Sequence, residues 1–425
     1  MPPKPTARHV KASDLRAIAQ LATQATRGVT QISEGVHQAV WSSMGIPGGK
    51  VKGKARGITG LVYQCIHGIT QLVGSSLDRL FLRLLPVLEV ADHAAPESFE
   101  RAAVVAALNG VLGDRLARDH NPLACTMDLR LHGKVIGRST PPAISDVTPK
   151  VVVFIHGLCM NDLQWKAARD ATGDTPLQSD YGATLSDRLG YTPVYLRYNT
   201  GLHTSENGAL LADQLTQLLN IWPIPITEVS VIAHSMGGLV TRSAYAIAIE
   251  RGLSWTPLLK RVAFLGTPHH GAPLERAGNW VDVLLGSNRY SAPFATLGKL
   301  RSAGITDLRF GHVLESDWLG HDRFRRKPDS RTTLPLPDGV ACYCVAATLV
   351  APRSPLAQRL VGDGLVPLRS ALGQHDVATR NLNFSRQSQQ VCYRMNHMEL
   401  LNSPAISTKL LEWFSVPLRD YPKAS

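Results

Sequence analysis

In the first part of the chain, hydrophobic residues recur at three- and four-residue steps, the spacing of one face of a helix. The pattern predicts helices over residues 13–43, 57–85 and 96–116. Glycine and proline at residues 45–49 separate the first two, and Pro96 suits the first turn of the third. We therefore predict an N-terminal helical region over residues 1–121.

After residue 121, short apolar runs alternate with helical patterns. The predicted strands are Thr126–Leu131, Val151–Ile155, Pro193–Tyr198, Glu228–Ala233, Arg261–Leu265, Cys342–Ala347 and Gln390–Met395. The predicted helices are Ser179–Leu189, Ser205–Leu219, Gly237–Arg251 and Ser403–Phe414. This alternation is typical of a mostly parallel sheet with helices on both faces. The predicted fold class is therefore α/β, over residues 122–425.

Residues 272–341 form a longer connection between two predicted strands than a plain crossover needs. It contains apolar and aromatic pieces with helical spacing at Trp280–Leu285 and Val313–Leu319, and a basic run at Arg323–Lys327. These features predict either a cap or lid over a site, or an inserted helix pair that covers only the edge of the sheet.

The strongest local pattern is Val229–Gly238, which reads VSVIAHSMGG and precedes an apolar helical run. A serine on a strand–turn–helix junction, with small residues two positions before and after it, is typical of a nucleophile elbow. Here those residues are Ala233 and Gly237. The elbow also places the backbone N–H of Met236 at a helix N-terminus, where it can donate to an oxyanion. The plain alternative is a glycine-rich helix start with an incidental serine, Ser235.

A second oxyanion donor would come from the loop that follows an earlier strand. The run Val151–Leu158 is an apolar strand that leads into His-Gly, so the candidates are the backbone N–H groups of Leu158 and, as a rival, Cys159. We expect His156 to be structural, since a buried imidazole at a strand end usually bonds to the backbone.

In folds that carry a nucleophile elbow, the catalytic acid and then the catalytic histidine follow the serine along the chain. We favour His397 as the base, because it follows an apolar strand and precedes the last helix. For the acid we favour Asp363, because glycines on both sides leave its carboxylate free to approach an imidazole. Alternatives that the sequence leaves open are His375 for the base and Asp282, Asp338 and Asp376 for the acid.

Five short runs occur together in a recognisable order: HGL at 156–158, AHSMGG at 233–238, GTPHHG at 266–271, GDGLVP at 362–367 and NHMELL at 396–401. Over roughly residues 122–420 they resemble the α/β-hydrolase superfamily on its lipase and esterase side. They are similar to bacterial triacylglycerol lipases and GPI inositol-deacylase-like serine hydrolases. The resemblance implies a triad of Ser235, Asp363 and His397, with Leu158 and Met236 as oxyanion donors. Ala233 replaces the usual glycine of the elbow.

The resemblance implies a carboxylic ester hydrolase that acts on acyl or lipid esters and needs no metal or organic cofactor. His269 and His270 are adjacent on a loop, and adjacent side chains rarely face one ion. An acyltransferase would use the same residues. A non-catalytic lipid-binding or scaffold protein is the alternative outside enzymes, and we would expect it to have a broken triad.

The chain has 425 residues and a formal net charge of +12. The first 60 residues carry nine Lys or Arg and two acidic residues. This basic region could dock on an anionic membrane or granule surface, pair with a second copy, or pack on its own sheet domain. We expect no nucleic acid partner, since no binding motif accompanies the charge.

No run approaches the ~20 apolar residues that cross a bilayer, and the N-terminus lacks the order of a secretory signal. The six cysteines include no CxxC pair and indicate neither a disulfide scaffold nor a zinc ribbon. We therefore expect a cytoplasmic protein, with peripheral membrane association as an option.

Overall fold

The computed structural model describes residues 99–166, 179–272, 301–320, 329, 331, 333–351 and 362–417. Residues 102–117 and the described residues from 125 onward form one compact unit. The helices predicted before residue 96, and the cap pieces Trp280–Leu285 and Arg323–Lys327, lie outside the described residues.

The described residues form a sheet of eight strands. They are β1 Asp128–Leu131, β2 Lys134–Val135, β3 Lys150–Ile155, β4 Thr192–Arg197, β5 Glu228–His234, β6 Leu259–Leu265, β7 Ala341–Thr348 and β8 Gln389–Tyr393. Their spatial order is β2-β1-β4-β3-β5-β6-β7-β8. Strands β3 to β8 run parallel, whereas β1 is antiparallel to both of its neighbours.

Helices cover both faces of this sheet. They are α1 Phe99–Arg118, α2 Tyr181–Leu189, α3 Thr204–Ile221, α4 Met236–Glu250, α5 Ala303–Asp307, α6 Leu368–Ala371 and α7 Pro404–Ser415. Alternate residues of β3 point to opposite faces, as in any strand. Val153 packs in one core cluster with residues of α1, α3 and α4, and Phe154 packs in the other with residues of α2 and α7. The predicted α/β fold, a mostly parallel sheet between two helix layers, is confirmed.

Helix α1 belongs to the core of this sheet unit over residues 102–117. Ala107 and Val111 are fully buried in the same cluster as the strands, and the Asn109 side chain accepts a hydrogen bond from the backbone N–H of Cys125 at 2.9 Å. The sequence pattern predicts that this helix belongs to the N-terminal region, residues 1–121. Its apolar face instead packs against the sheet domain.

The helix predicted at Val313–Leu319 is not formed. The chain makes a single 3₁₀ turn at Glu315–Asp317, because the Asp317 carboxylate accepts from the backbone N–H groups of Val313 and Leu314, both at 2.9 Å. Bonding of this kind competes with helical hydrogen bonds. Among the residues that the structure describes, no helix combines the length and the apolar character that crossing a bilayer requires.

Candidate active site

Ser235 occupies the sharp turn between β5 and α4. Its backbone has φ 54° and ψ −125°, a region that residues other than glycine rarely adopt and that costs about 1–3 kcal/mol. Its N–H donates to the backbone oxygen of Leu265 at 2.8 Å, so the end of β6 holds the strained turn in place. The predicted elbow geometry is present, and the Ser235 side chain is buried beneath surrounding residues.

Two glycines make room for this turn. A Cβ on Gly237 would lie 2.6 Å from the backbone oxygen of Ile155, and a Cβ on Gly157 would lie 2.8 Å from the Cβ of Ser235. Both distances are shorter than real Cβ contacts. Ala233, in the place of the usual glycine, is fully buried in β5. The structure therefore accommodates alanine at this position of the elbow.

The loop after β3 lies beside the elbow. Its Cys159 N–H donates to the Thr200 hydroxyl at 3.2 Å, so this rival candidate for the oxyanion hole is already engaged. Within the described residues, the backbone N–H groups of Leu158 and Met236 have no hydrogen-bond partner. The two amides that the sequence favoured are therefore the ones left available to a ligand.

His156 precedes this loop and is structural, as predicted. Its Nδ1 donates to the backbone oxygen of Gly157 at 3.0 Å, and its ring stacks on Tyr198. Complete burial lowers the pKa of His156 from 6.5 to about 4, because the interior disfavours the charged imidazole.

Asp363 and His397 form a buried hydrogen-bonded pair. Nδ1 of His397 donates to Oδ2 of Asp363 at 2.6 Å, and each residue is only 2% exposed. The other ring nitrogen, Nε2, has no partner. Because Nδ1 carries the proton, Nε2 of the neutral ring is a hydrogen-bond acceptor that faces no protein donor.

The acid loop is built around its carboxylate. Oδ1 of Asp363 accepts from the backbone N–H groups of Leu365 at 3.0 Å and Val366 at 2.8 Å, which leaves Oδ2 for the histidine. Gly364 has φ +98°, and a Cβ on Gly362 would lie 1.7 Å from the Val366 oxygen. The glycines of the run GDGLVP are therefore required by the backbone of the turn, and the aspartate is required for its hydrogen bonds.

A second local turn holds His397. The Asn396 side chain accepts from the backbone N–H groups of Met398 and Glu399, and the Glu399 carboxylate accepts in return from the N–H of Asn396 at 2.7 Å. This reciprocal arrangement is a capping box. It explains the spacing of asparagine and glutamate around the histidine.

His397 lies against the elbow. A Cβ on Gly266, the residue after β6, would lie 3.1 Å from Cε1 of the His397 ring, and the ring centroids of His234 and His397 are 4.5 Å apart. His234 is the residue immediately before Ser235. The structure thus brings the predicted nucleophile, acid and base to one end of the parallel strands.

His234 has a place in this site that the sequence did not indicate. Its Nε2 donates to the backbone oxygen of His397 at 3.1 Å. Burial, and next the neighbouring His397, lower the pKa of His234 well below its usual range, so the ring stays neutral. Its partner is a backbone atom 163 residues away, which leaves no signal in the sequence.

Helices α1 and α5 enclose the oxyanion loop. Ser302, which caps α5, donates to the backbone oxygen of Gly110 in α1 at 2.6 Å. Gly110 packs against Cys159, and Gly304 packs against the backbone oxygen of Thr200 and the Met236 side chain; neither glycine has room for a Cβ. These helices help to bury the candidate site.

The alternative acids and the alternative base that the structure describes make other contacts. Asp376 pairs with Arg369 on the surface, and Asp338 is exposed at the turn before β7. His375 accepts from the backbone N–H of Val377. Asp282 lies outside the described residues. Among the described residues, no group of three or more His, Cys, Asp or Glu side chains could hold a metal ion.

Residues 146–333 match the family described as PGAP1-like alpha/beta domain. Among solved structures, a Bacillus licheniformis lipase in its mature form is 16% identical, with 68% of this chain and 98% of that chain covered and a TM-score of 0.39. A Pyrobaculum calidifontis esterase is 13% identical, with 74% and 91% covered and a TM-score of 0.38. A Thermogutta terrifontis esterase is 14% identical, with 63% and 90% covered and a TM-score of 0.36. No curated protein matched this chain.

The chain has the α/β-hydrolase fold. The sheet order, the parallel strands β3 to β8 and the strand–turn–helix at Ser235 establish the architecture, and the family match covers the segment that carries the elbow. The resemblance inferred from the sequence runs is confirmed at the level of the fold.

Proposed function

We propose that this protein is a serine hydrolase that cleaves carboxylic esters, with Ser235 as nucleophile, His397 as general base and Asp363 as the group that orients the base. The observation that carries the proposal is the buried Asp363–His397 pair at 2.6 Å, whose outer nitrogen is unpartnered beside a strained elbow serine. An acceptor nitrogen and a hydroxyl at one strand end are what serine-based acyl transfer requires.

In the proposed reaction, Nε2 of His397 removes the Ser235 hydroxyl proton while Oγ attacks the ester carbonyl carbon. The carbonyl oxygen becomes an oxyanion and accepts from the backbone N–H groups of Leu158 and Met236. When the tetrahedral intermediate collapses, the imidazolium gives its proton to the departing alkoxide, and the acyl group remains on Ser235. His397 then takes a proton from a water molecule as that water attacks the acyl-enzyme carbonyl. When this second tetrahedral intermediate collapses, the imidazolium returns the proton to Oγ of Ser235 and the carboxylic acid leaves.

Asp363 supports this sequence without giving up its charge. Its carboxylate holds the proton of His397 on Nδ1 and stabilises the imidazolium that forms during each half-reaction. The two backbone N–H groups that donate to Oδ1 fix the direction of the carboxylate and leave Oδ2 facing the histidine.

We propose acyl or lipid esters as the substrate class. The residues that provide the oxyanion amides, Leu158 and Met236, have apolar side chains and share a core cluster with Ile305 of α5. Apolar surroundings favour an acyl chain over a charged group. The basic residues among the first 60 positions make an anionic lipid surface a proposed partner.

The test is hydrolysis of p-nitrophenyl esters from short to long acyl chains by the wild type, Ser235→Ala and Ser243→Ala. The last variant is the matched control, because Ser243 is a fully buried serine of the same helix α4 whose hydroxyl has no hydrogen-bond partner. We expect Ser235→Ala to lower kcat by several orders of magnitude and Ser243→Ala to keep it. Full activity in Ser235→Ala would show that the nucleophile is another group.

The same assay distinguishes hydrolysis from acyl transfer. With an added alcohol such as glycerol, a hydrolase releases the free acid in proportion to p-nitrophenol, whereas a transferase forms the new ester instead. We expect the free acid as the main product. A wild type that is inert on every chain length would contradict simple ester hydrolysis.

A further inference from the structure

A small cavity lies between helix α4, the loop after β6 and the residues Arg331, Thr333 and Leu334. Its polar lining consists mainly of Arg242, Arg331, Arg380, His269 and His270. The cavity has room for one water molecule or one ion of similar size.

The cavity concentrates positive charge in the protein interior. Arg242 is only 5% exposed, and the Arg331 side chain is 7% exposed. One carboxylate, Asp329, pairs with both Arg331 and Arg380. The Asp317 carboxylate also lies near enough to influence Arg242, and one of its oxygens accepts from two backbone N–H groups. Among the residues that the structure describes, three guanidinium groups thus lie near two carboxylates.

Arg242 has the poorest set of partners of the three. It donates to the backbone oxygen of Leu334, a neutral acceptor, and its Nε is buried without any partner. Burial lowers the pKa of Arg242 to about 10, so the side chain still carries its charge at neutral pH. A buried guanidinium with an unpaired N–H is costly unless an acceptor reaches it.

His269 adds a second unpartnered polar group to the cavity wall. It is completely buried, and neither of its ring nitrogens has a hydrogen-bond partner. Burial lowers the pKa of His269 well below its usual range, so the ring is neutral and carries one N–H. His270 differs, because its Nδ1 already accepts from Arg331 at 2.9 Å.

We propose that this cavity is a binding site for a single small anion of the size of chloride, held by Arg242 and His269. Guanidinium groups carry only donors, so the occupant must be an acceptor. The excess of positive charge favours an anion over water, and the size of the cavity favours a monatomic anion over phosphate or a carboxylate.

An anion here would join parts of the chain that are far apart in sequence. Arg242 belongs to α4, the helix that begins directly after Ser235. Arg331 donates to the backbone oxygens of His269 and Gly311, and Gly266, three residues before His269, contacts His397. Occupancy would therefore stabilise the packing behind the candidate active site, although the proposal does not depend on ester hydrolysis.

The experiment is a thermal-unfolding titration in which chloride replaces gluconate at constant ionic strength, with bromide and inorganic phosphate as parallel arms. A ligand that binds only the folded state raises the Tm in a concentration-dependent way. We expect chloride and bromide to raise the Tm of the wild type along a saturable curve, and phosphate to give no such curve. A curve for phosphate alone, or none for any anion, would overturn the proposal.

Two variants locate the site. Arg242→Gln should lose the halide-dependent rise in Tm. Arg369→Gln should keep it, since this matched arginine pairs with Asp376 on the surface. A rise that persists in Arg242→Gln, or that disappears in Arg369→Gln, would place the anion elsewhere.

Crystals of the wild type soaked in bromide give a test that needs no variant, which matters if Arg242→Gln fails to fold. We expect an anomalous peak within hydrogen-bond distance of Arg242 Nε and the His269 ring. A cavity that holds only water density under the same conditions would contradict the proposal.

Discussion

The His234 ring donates its Nε2–H to the backbone oxygen of His397 at 3.1 Å. The residue that precedes the elbow serine is thereby bonded to the main chain of the candidate base. Because His234 is the last residue of β5, the bond links the strand that carries the nucleophile to the loop that carries the histidine. His234 is therefore a positioning residue in the proposed mechanism.

Replacing His234 tests this role. His234→Phe keeps an aromatic ring but removes the donor, so the His397 loop loses a constraint; we expect kcat to fall about 10- to 100-fold with KM little changed. His234→Gln keeps an amide donor near the same place and should retain most of the activity. Equal losses of kcat in both variants would argue against a role for the hydrogen bond.

The carboxylate of Asp363 is expected to set the tautomer of His397. In Asp363→Asn, the amide oxygen can still accept from Leu365 and Val366, while its NH₂ group faces Nδ1 and forces the ring proton onto Nε2. We expect kcat to fall by about 10³ to 10⁴, with a small change in Tm. Steady-state kinetics and thermal unfolding measure both.

Asp376→Asn serves as the control for that experiment, since this carboxylate pairs with Arg369 on the surface. It should leave kcat unchanged. If Asp363→Asn were as active as Asp376→Asn, the acid of the triad would have to be another residue.

Gly157 is expected to be intolerant of any side chain. In Gly157→Ala the new Cβ would lie 2.8 Å from the Ser235 Cβ and 3.2 Å from Nδ1 of His234. We expect a loss of about 1–3 kcal/mol in the free energy of unfolding and a fall in kcat of about 10² from the displaced nucleophile. Chemical denaturation and ester hydrolysis measure the two effects.

The comparison variant is Gly137→Ala, where the nearest atom to the new Cβ is 3.6 Å away. It should be close to neutral for both quantities. A Gly157→Ala enzyme that matched it would mean that the oxyanion loop can move away from the elbow without consequence.

Stability should fall as the pH is lowered from about 6.5 to about 4. His156 has a folded-state pKa of about 4, against 6.5 for the unfolded chain. Between these values the unfolded chain binds a proton that the folded chain excludes, so the free energy of unfolding rises with pH. One such group contributes at most about 1.4 kcal/mol per pH unit.

His156→Asn retains a donor toward Gly157 but no titratable group, so we expect a shallower slope of unfolding free energy against pH. His132→Asn is the control, because His132 is exposed in the turn after β1 at φ 50°, which asparagine tolerates. Denaturant unfolding between pH 4 and 7 measures the slopes. An unchanged slope in His156→Asn would show that folding does not lower the pKa of His156.

The elements that could be predicted from the sequence are those with local causes. The apolar runs of β3, β5 and β6, the elbow at Ser235 and the aspartate loop at Asp363 each depend on side chains within a few positions of one another. Small residues at 157 and 237, and glycines around Asp363, are required by backbone geometry that any chain must satisfy in such turns. For this reason the motifs, the α/β class and the candidate residues can be predicted from the sequence.

Features that depend on distant partners were decided by the tertiary structure alone. The periodicity of α1 predicted a helix but not which surface it covers, and only packing placed Ala107 and Val111 in the core of the sheet. His234 bonds to a backbone atom 163 residues away, and backbone acceptors are the same at every position. The cavity at Arg242 gathers charges from three separate segments of the chain. Such contacts arise from three-dimensional packing, and local sequence patterns do not encode them.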